Sequence, residues 1–146
     1  MRLRVSEVRR RFEAILEETG FTRSRFVPEQ FGADTSLLLS GAFAVGVGAT
    51  VLEEFDDRLR YGDEGEARTV IDVRLAYQLR ADAQIQDYDR ALDQEQRALI
   101  ACMDLDRTGF HVEVGGMPIR FVPRTGDWLL TTIRFEAIHR IAFVGA

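Results

Sequence analysis

The alternation of apolar and polar side chains from Arg68 to Arg80, RTVIDVRLAYQLR, is the feature that most constrains how this chain can fold. Successive side chains of a β-strand point to opposite faces of the sheet, so a period of two separates a buried face from an exposed one. The predicted apolar face carries Ile71, Val73, Leu75, Tyr77 and Leu79, and the predicted polar face carries Asp72, Arg74, Ala76, Gln78 and Arg80. The fold must therefore contain a sheet with one covered face.

Two other segments repeat this period. The residues Phe43 to Val51 alternate within Ser36 to Leu52, an uncharged stretch at the short limit for a membrane helix. Its glycines and β-branched residues favour a strand over a membrane span. A last strand, from about Leu129 to Phe143, places His139 on its apolar side and Arg134, Glu136 and Arg140 on the other.

Two amphipathic helices are predicted to cover the apolar face. The first begins after Ser6 as its cap and stops at Gly20. The second runs from about Asp87 to Leu105, with an acidic residue near its start, where the helix dipole favours an anion. Its apolar stripe consists of Tyr88, Ala91, Leu92, Ala98, Leu99 and Met103.

The remaining segments are predicted to be a hairpin and two loops. Gly115-Gly116 separates two alternating runs, Phe110 to Val114 and Met117 to Val122, as the two-residue turn of a hairpin does. The expected cross-strand pairs are Val114 with Met117, Val112 with Ile119, and Phe110 with Phe121. The residues Phe21 to Asp34 are expected to form a loop with a short extended piece.

These elements predict an α+β fold of two layers. Its sheet is expected to be mostly antiparallel, with four to five strands covered on one face by two helices. The length of 146 residues fits a single domain, residues 1 to 146. The other face of the sheet is expected to stay polar or to meet a partner.

Composition excludes several chemistries. All 19 basic residues are arginine, so no reaction that needs a lysine amine is available. The formal charge of -5 argues against a protein held on DNA by phosphate neutralisation. Cys102 lies in the second predicted helix, where a small buried thiol is expected instead of a nucleophile.

No catalytic or metal site is expected. DLDRTGFHVEVGG opens like a calcium loop at Asp104, Asp106 and Thr108, but Gly115 stands where the bidentate glutamate belongs. A polar connection from helix to strand explains the segment better. Of the two histidines, His111 lacks the paired cysteines of a zinc deaminase, and His139 is expected to be hydrogen-bonded in the core or at a subunit contact. An enzyme would need His111, His139 or Asp57, and we expect neither an enzyme nor a cofactor.

The segment Glu53 to Ala67 is dense in acids and is expected to form a mobile loop that a partner orders. Its carboxylates Glu53, Glu54, Asp56 and Asp57 are candidates for a partner interface. A divalent cation or a shared proton between Asp56 and Asp57 is the alternative, disfavoured because adjacent residues on an extended chain point apart.

The succession FAVGV, an acidic loop, TVIDVRLAYQL, QDYDRALDQEQRALIACM and DWLLTTIRFEAIHRI resembles the tail-terminator (tail-completion) proteins of long-tailed bacteriophages. The resemblance covers nearly the whole chain and rests on element order, because no chemical motif carries it. It implies a structural, non-enzymatic virion protein, assembled in the host cytoplasm, that caps the tail tube. It further implies a homo-oligomer, a hexameric ring, whose partners are the tail tube protein and a head-closure or connector protein.

The resemblance and the charge balance together assign candidate contacts. Arg74, Arg80, Arg134, Glu136 and Arg140 are expected either to form ion pairs between subunits or to be ordinary solvated surface. Trp128 is expected to anchor a neighbour or to belong to the core. DNA is expected to pass through the ring without specific binding, and no membrane is involved.

Two alternative functions stay open. The first is another phage neck or head-tail connector protein, which would present a similar order of elements. The second is a monomeric, non-viral ligand-binding adaptor domain that uses a cleft between helices and sheet.

Overall fold

The computed structural model of the protein describes residues 2–52 and 64–142. The chain folds into two helices and a mixed six-stranded sheet within these residues, which confirms the predicted α+β class. The helices are α1 (Val5–Glu18) and α2 (Gln84–Met103). The strands are β1 (Thr22–Arg23), β2 (Ala42–Leu52), β3 (Glu64–Gln78), β4 (Phe110–Val114), β5 (Ile119–Phe121) and β6 (Trp128–Ala142).

The strands are arranged in the order β1-β2-β3-β6, and β4 and β5 both pair with the far side of β6. Only the pairing of β1 with β2 is parallel among the described strands. The long strands β3 and β6 place Ile71 opposite Phe135 and Asp72 opposite Arg134. Opposite residues share a face, so the alternation seen in each strand combines into one apolar and one polar side.

Both helices lie on the apolar side, which we call the helix face. The core contains Phe12 and Leu16 from α1, Ala98 and Cys102 from α2, and the inward residues of the strands. The rings of Phe12 and Phe135 lie 5.6 Å apart at their centroids. The core therefore forms between the apolar face of the sheet, which the period of two in the strands produces, and the apolar stripes of α1 and α2, which follow the helical period.

The helix boundaries differ from prediction at both starts. Helix α1 begins at Val5, so Ser6 lies inside it and is not the cap. The backbone N–H of Leu3 donates to the carbonyl of Arg140, which holds the chain beside β6 and sets an earlier start. Helix α2 begins at Gln84 and ends at Met103, each two or three residues before the predicted position.

The predicted hairpin at Gly115-Gly116 is wrong. The strands β4 and β5 do not pair with each other but follow one another along the same side of β6. Gly115 continues the ladder, because its N–H donates to the carbonyl of Arg134 at 2.7 Å. A Cβ on Gly115 would lie 3.0 Å from Cγ of Arg134, so glycine serves a close approach here and not a reversal. The residues 115–118 form a bulge opposite Ile133 and Arg134.

The other side of the sheet, which we call the open face, is not polar throughout. Residues 24–41, which we call the cover loop, contain two short 3₁₀ turns (Pro28–Gln30 and Thr35–Leu37) and pack over one end of this face. A second apolar cluster forms there from Phe31, Ala42, Ala44, Ala76 and Trp128. Gly32 allows the closest approach, since its φ is +82° and a Cβ there would lie 2.8 Å from Cδ1 of Leu130.

The end of the predicted acidic loop lies in the sheet. Strand β3 begins at Glu64, so the last residues of the predicted loop belong to the sheet, with Gly65 and Ala67 buried. Pairing with the end of β6 explains this start, because Glu66 lies opposite Arg140 and Ala67 opposite His139. The predictions for Glu53, Glu54, Asp56 and Asp57 lie outside the described residues.

Candidate interaction surfaces

The centre of the open face carries ion pairs within the chain. The guanidinium of Arg134 donates to both carboxylate oxygens of Asp72, at 2.9 and 3.4 Å, and this raises the pKa of Arg134. Arg68 lies between two carboxylates, 3.1 Å from Glu113 and 2.8 Å from Glu136. Cross-strand register produces these contacts. Asp72 faces Arg134 directly, Arg68 lies diagonally across from Glu136 of β6, and Glu136 in turn faces Glu113 of β4. The charges of Arg134 and Glu136 are therefore neutralised inside one subunit.

Arg74 and Arg80 serve the fold of their own chain. Arg74 donates to the carbonyl of Pro28 at 2.8 Å and so ties the cover loop to the sheet. Arg80 lies beyond the end of β3, where its backbone N–H and guanidinium donate three hydrogen bonds to Asp87 in the first turn of α2. These bonds lower the pKa of Asp87 to about 2 and fix the loop that enters the helix.

Trp128 and the main chain of Arg140 also make contacts within their own subunit. Trp128 is 7% exposed and packs in the second cluster with Phe31, so it belongs to the core, one of the two predicted outcomes. The carbonyl of Arg140 accepts from Leu3 and joins the N-terminus to β6. Trp128 is therefore not a protruding anchor.

An apolar groove lies at the β1 edge of the sheet, between that strand and the cover loop. Its volume is about 590 Å³, and its floor includes Phe31 and Ala42 from the second cluster. Phe26, Leu37 and Leu39 line it and are more than 40% exposed. Its charged residues are Arg25, Asp34 and Arg23, and Arg23 pairs with Glu13 and Glu17 of α1. The hydrogen bonds that Asp34 accepts from Ser36 lower its pKa, so this carboxyl is ionised at neutral pH.

An apolar ridge lies at the opposite edge, on β5 and the residues beside it. We define the ridge as Met117, Ile119, Phe121 and Val122, of which Met117 is 88% and Ile119 is 69% exposed. Exposed apolar side chains scattered singly are ordinary, but contiguous ones mark interaction sites. The four residues fall within six consecutive positions, 117–122, around the three residues of β5.

An ion pair between exposed Arg120 and buried Glu95 explains why the ridge points outward. Arg120 lies opposite Thr131, on the helix face, and donates two hydrogen bonds to Glu95 of α2 at 2.9 and 2.6 Å. Glu95 is buried, so this bidentate pair fastens β5 under the helix. Because side chains alternate, Ile119 and Phe121 must then point to the open face. The predicted pairing of Phe121 with Phe110 is therefore wrong.

Sequence reasoning missed both apolar surfaces as interaction sites. The signal for the ridge is the alternation of Met117, Ile119 and Phe121 around Arg120, but the hairpin interpretation pairs these residues with Val114, Val112 and Phe110 on one face of a hairpin. The signal for the groove was the run Leu37, Leu38 and Leu39. This run lies in the uncharged stretch Ser36 to Leu52, for which the only alternatives from sequence are a strand and a membrane span.

The titratable groups considered for catalysis have structural environments. His139 is buried, with Nε2 2.8 Å from the hydroxyl of Thr69, and burial lowers its pKa, as the prediction of a hydrogen-bonded core histidine requires. Cys102 is buried in the core, which raises the pKa of its thiol to about 12. His111 lies at the surface, 3.4 Å from Asp106.

The segment at Asp104 forms the predicted polar connection between α2 and β4. Asp106 accepts a hydrogen bond from the backbone N–H of Val112 at 2.9 Å, which closes the turn before the strand. Across residues 2–52 and 64–142, no cluster of three histidine, cysteine or acidic side chains is placed to hold a metal ion. In the same residues, no helix is both long and apolar enough to cross a membrane.

Comparisons with known proteins add no relative. No protein-family model matches the chain, and no curated protein matches it.

Proposed function

We propose that this protein is a virion structural protein that caps the tail tube of a long-tailed bacteriophage, ends tube polymerisation and offers the head a docking surface as a ring. The observation that carries the proposal is the presence of two unlike apolar surfaces, the groove and the ridge, at opposite edges of one sheet. The tail-specific part of the proposal comes from the resemblance in element order.

A subunit with two different adhesive patches assembles head to tail. Such heterologous contacts give a closed ring if the rotation between neighbours closes, and an open filament if it does not. A surface that paired with itself would instead give a twofold dimer. The two edges differ in shape, since one is a groove and the other protrudes. This difference favours the ring over the dimer.

The charged centre of the open face supports a passage that does not grip DNA. Arg134 and Arg68 are engaged by Asp72, Glu113 and Glu136, and the whole chain has a formal charge of -5. Counterion release from phosphates requires uncompensated cations. We therefore expect DNA to pass through the ring, and salt-sensitive binding of DNA by the purified protein would contradict this.

Assembly is expected to depend on concentration, since a ring that closed early would not wait for a finished tube. We expect monomers at nanomolar protein and rings at tens of micromolar or on tube ends. Negative-stain images of the concentrated protein, and restored head attachment when it is added to headless tails, test the proposal. Failure to act on any headless tail preparation that accepts its own terminator, together with absence of rings, would reject it.

A second candidate, a ligand-binding adaptor domain, is favoured by the groove alone. The cleft between helices and sheet does not provide its site, because the gap where α2 lies over β2, β3 and β6 is about 10 Å³, too small for a ligand. The groove of about 590 Å³ lies within the range of small-molecule sites. A rise in melting temperature with a defined small molecule, in a protein that stays monomeric, would favour this function.

A further inference from the structure

We propose that the ridge of one copy of this chain seats in the groove of the next copy, and that this contact is the repeating joint of the assembly. The inference rests on the proposed ring and names the surfaces that build it. Its occupant is a second copy of the same chain, recognised by apolar side chains, with charges of both signs at the margin.

The chemistry of the two surfaces matches. The groove is lined by Phe26, Leu37 and Leu39 over a floor of buried apolar residues, and it is open to solvent. The ridge offers Met117 and Ile119, which protrude most from the opposite edge. Burying these side chains against each other removes apolar area from water on both partners.

The ridge does not fill the groove of its own subunit, because no ridge residue lines the groove. Strands β1 and β5 lie four strand positions apart, about 19 Å at the usual strand spacing, and the cover loop that lines the groove reaches across the open face to Leu130 of β6. The cover loop and the second cluster stand between them on the open face. A ridge reaches a groove only in another copy, placed beside the first along the direction of the hydrogen bonds of the sheet.

The rims of both surfaces are compatible in charge. The groove is lined by Arg25 and Asp34, and by Arg23, whose charge is paired with two glutamates of α1. The chain that follows the ridge carries the exposed residues Arg124 and Asp127. Within the described residues, these two side chains and those of Arg25 and Asp34 form no ion pair with another residue of their own subunit. Each surface therefore has one unpaired positive and one unpaired negative side chain beside it. Repulsion between like charges does not disfavour the contact.

Side chains, not backbone pairing, must carry the joint. Strand β1 has two residues and β5 has three, so adding one edge to the other would form few hydrogen bonds. Short edges are a common protection against uncontrolled strand pairing. A contact made by a few apolar side chains is weak alone and gains strength when a ring closes, as conditional assembly requires.

The test uses two variants of the full chain, each with a charge introduced into one of the two surfaces. Ile119→Asp places a charge on the ridge, and Leu39→Asp places one in the groove. Both side chains are well exposed, at 69% and 63%, so both variants are expected to fold as the native chain does. Ile85→Asp, at an equally exposed position on α2, is the matched control.

Each variant alone is expected to need at least tenfold more protein than the native chain to assemble, while Ile85→Asp behaves as native. An equimolar mixture of the two variants is expected to form a dimer of twice the chain mass and nothing larger. This follows because one variant keeps its groove and the other its ridge. Sedimentation or light scattering with size-exclusion chromatography measures these masses.

The contact is overturned if the folded variants give no dimer when mixed well above the concentration at which the native chain assembles, or if either assembles alone as the native chain does. A Leu39→Asp variant that dimerises alone would instead indicate contact between two ridges. Rings that form normally from both variants would reject this joint but leave the proposed function standing. A mixed dimer from a protein that never acts on tails would support this joint but reject the proposed function.

Cysteine trapping gives an independent readout. The native Cys102 is buried and its thiol pKa is about 12, so it does not compete at neutral pH. Mixing Met117→Cys with Leu39→Cys is expected to yield a disulfide-linked dimer under mild oxidation. A mixture of Ile85→Cys with Leu39→Cys should not give that product. Equal yields of linked dimer from the two mixtures would count against the joint.

Discussion

The two faces of the sheet belong to the same alternating strands but are covered by different elements. The helix face is covered along its length by α1 and α2, and its core residues, such as Phe12 and Phe135, are fully buried. The open face is divided into three zones: a small cluster under the cover loop, a central field of ion pairs, and the exposed ridge.

This difference separates stability from association. The helix face can supply most of the free energy of folding because apolar area is removed from water there on all sides. The open face keeps its apolar ridge and groove at the edges and neutralises its charges in the middle. A face of that kind contributes less to folding and remains available to neighbours.

The largest expected effect comes from removing a large side chain from the centre of the helix face. Phe135→Ala should lower the free energy of unfolding by about 3–5 kcal/mol, since it leaves a cavity beside Phe12. Phe121→Ala, on the exposed ridge, is the matched control and should change stability by less than about 0.5 kcal/mol. Urea denaturation measures both, and similar losses would mean that the ridge is buried within the subunit.

The cover loop should give the next largest effect. Trp128→Ala is expected to cost about 3 kcal/mol, the low end for an aromatic core residue, because the second cluster is small. Phe31→Ala should weaken the same cluster, so the double variant should lose less than the sum of the two single losses. Strict additivity in denaturation would show that the loop and the strand do not pack together.

A pH dependence should distinguish the covered face from the open one. Burial lowers the pKa of His139, so the unfolded chain binds a proton at a higher pH than the folded chain does. Stability from this group is therefore complete above its ordinary pKa near 6.5 and falls as the pH drops below it.

The slope for one proton cannot exceed about 1.4 kcal/mol per pH unit. His139→Gln should flatten the decline in unfolding free energy between pH 7 and pH 5. The same decline in His139→Gln and in the native chain would remove His139 as the cause.

The smallest effect is expected in the central field of charges. Glu136→Gln removes one partner of Arg68, while Glu113 remains within reach. The cost should be below about 1 kcal/mol and should disappear in 1 M salt, because partly exposed pairs are screened. A larger loss that persists in salt would mean that the pair is effectively buried, for instance by a neighbour.

The sequence allowed the long strands to be predicted well. The alternation in β2, β3 and β6 predicted which residues turn inward, and the structure confirms Ile71, Val73 and Phe135 in the core. His139 was expected among them and is buried there. These predictions succeed because the direction of a side chain along a strand depends only on local backbone geometry.

The candidate surfaces could not be predicted in the same way. The outward direction of Ile119 and Phe121 depends on the pair between Arg120 and Glu95, which are far apart in the chain. Gly115-Gly116 is compatible with a tight turn or a bulge, and only the position of β6 decides between them. The groove exists because Arg74 and Trp128 hold the cover loop over the sheet.

The sequence by itself determined the fold class, the long strands and the inward face of each, since periodicity is a local property of the chain. Only the tertiary structure decided that β4 and β5 share one side of β6, that a loop covers part of the open face, and that two apolar surfaces remain at its edges. Those outcomes depend on contacts between distant residues, which compete with one another in energy and leave no period in the sequence.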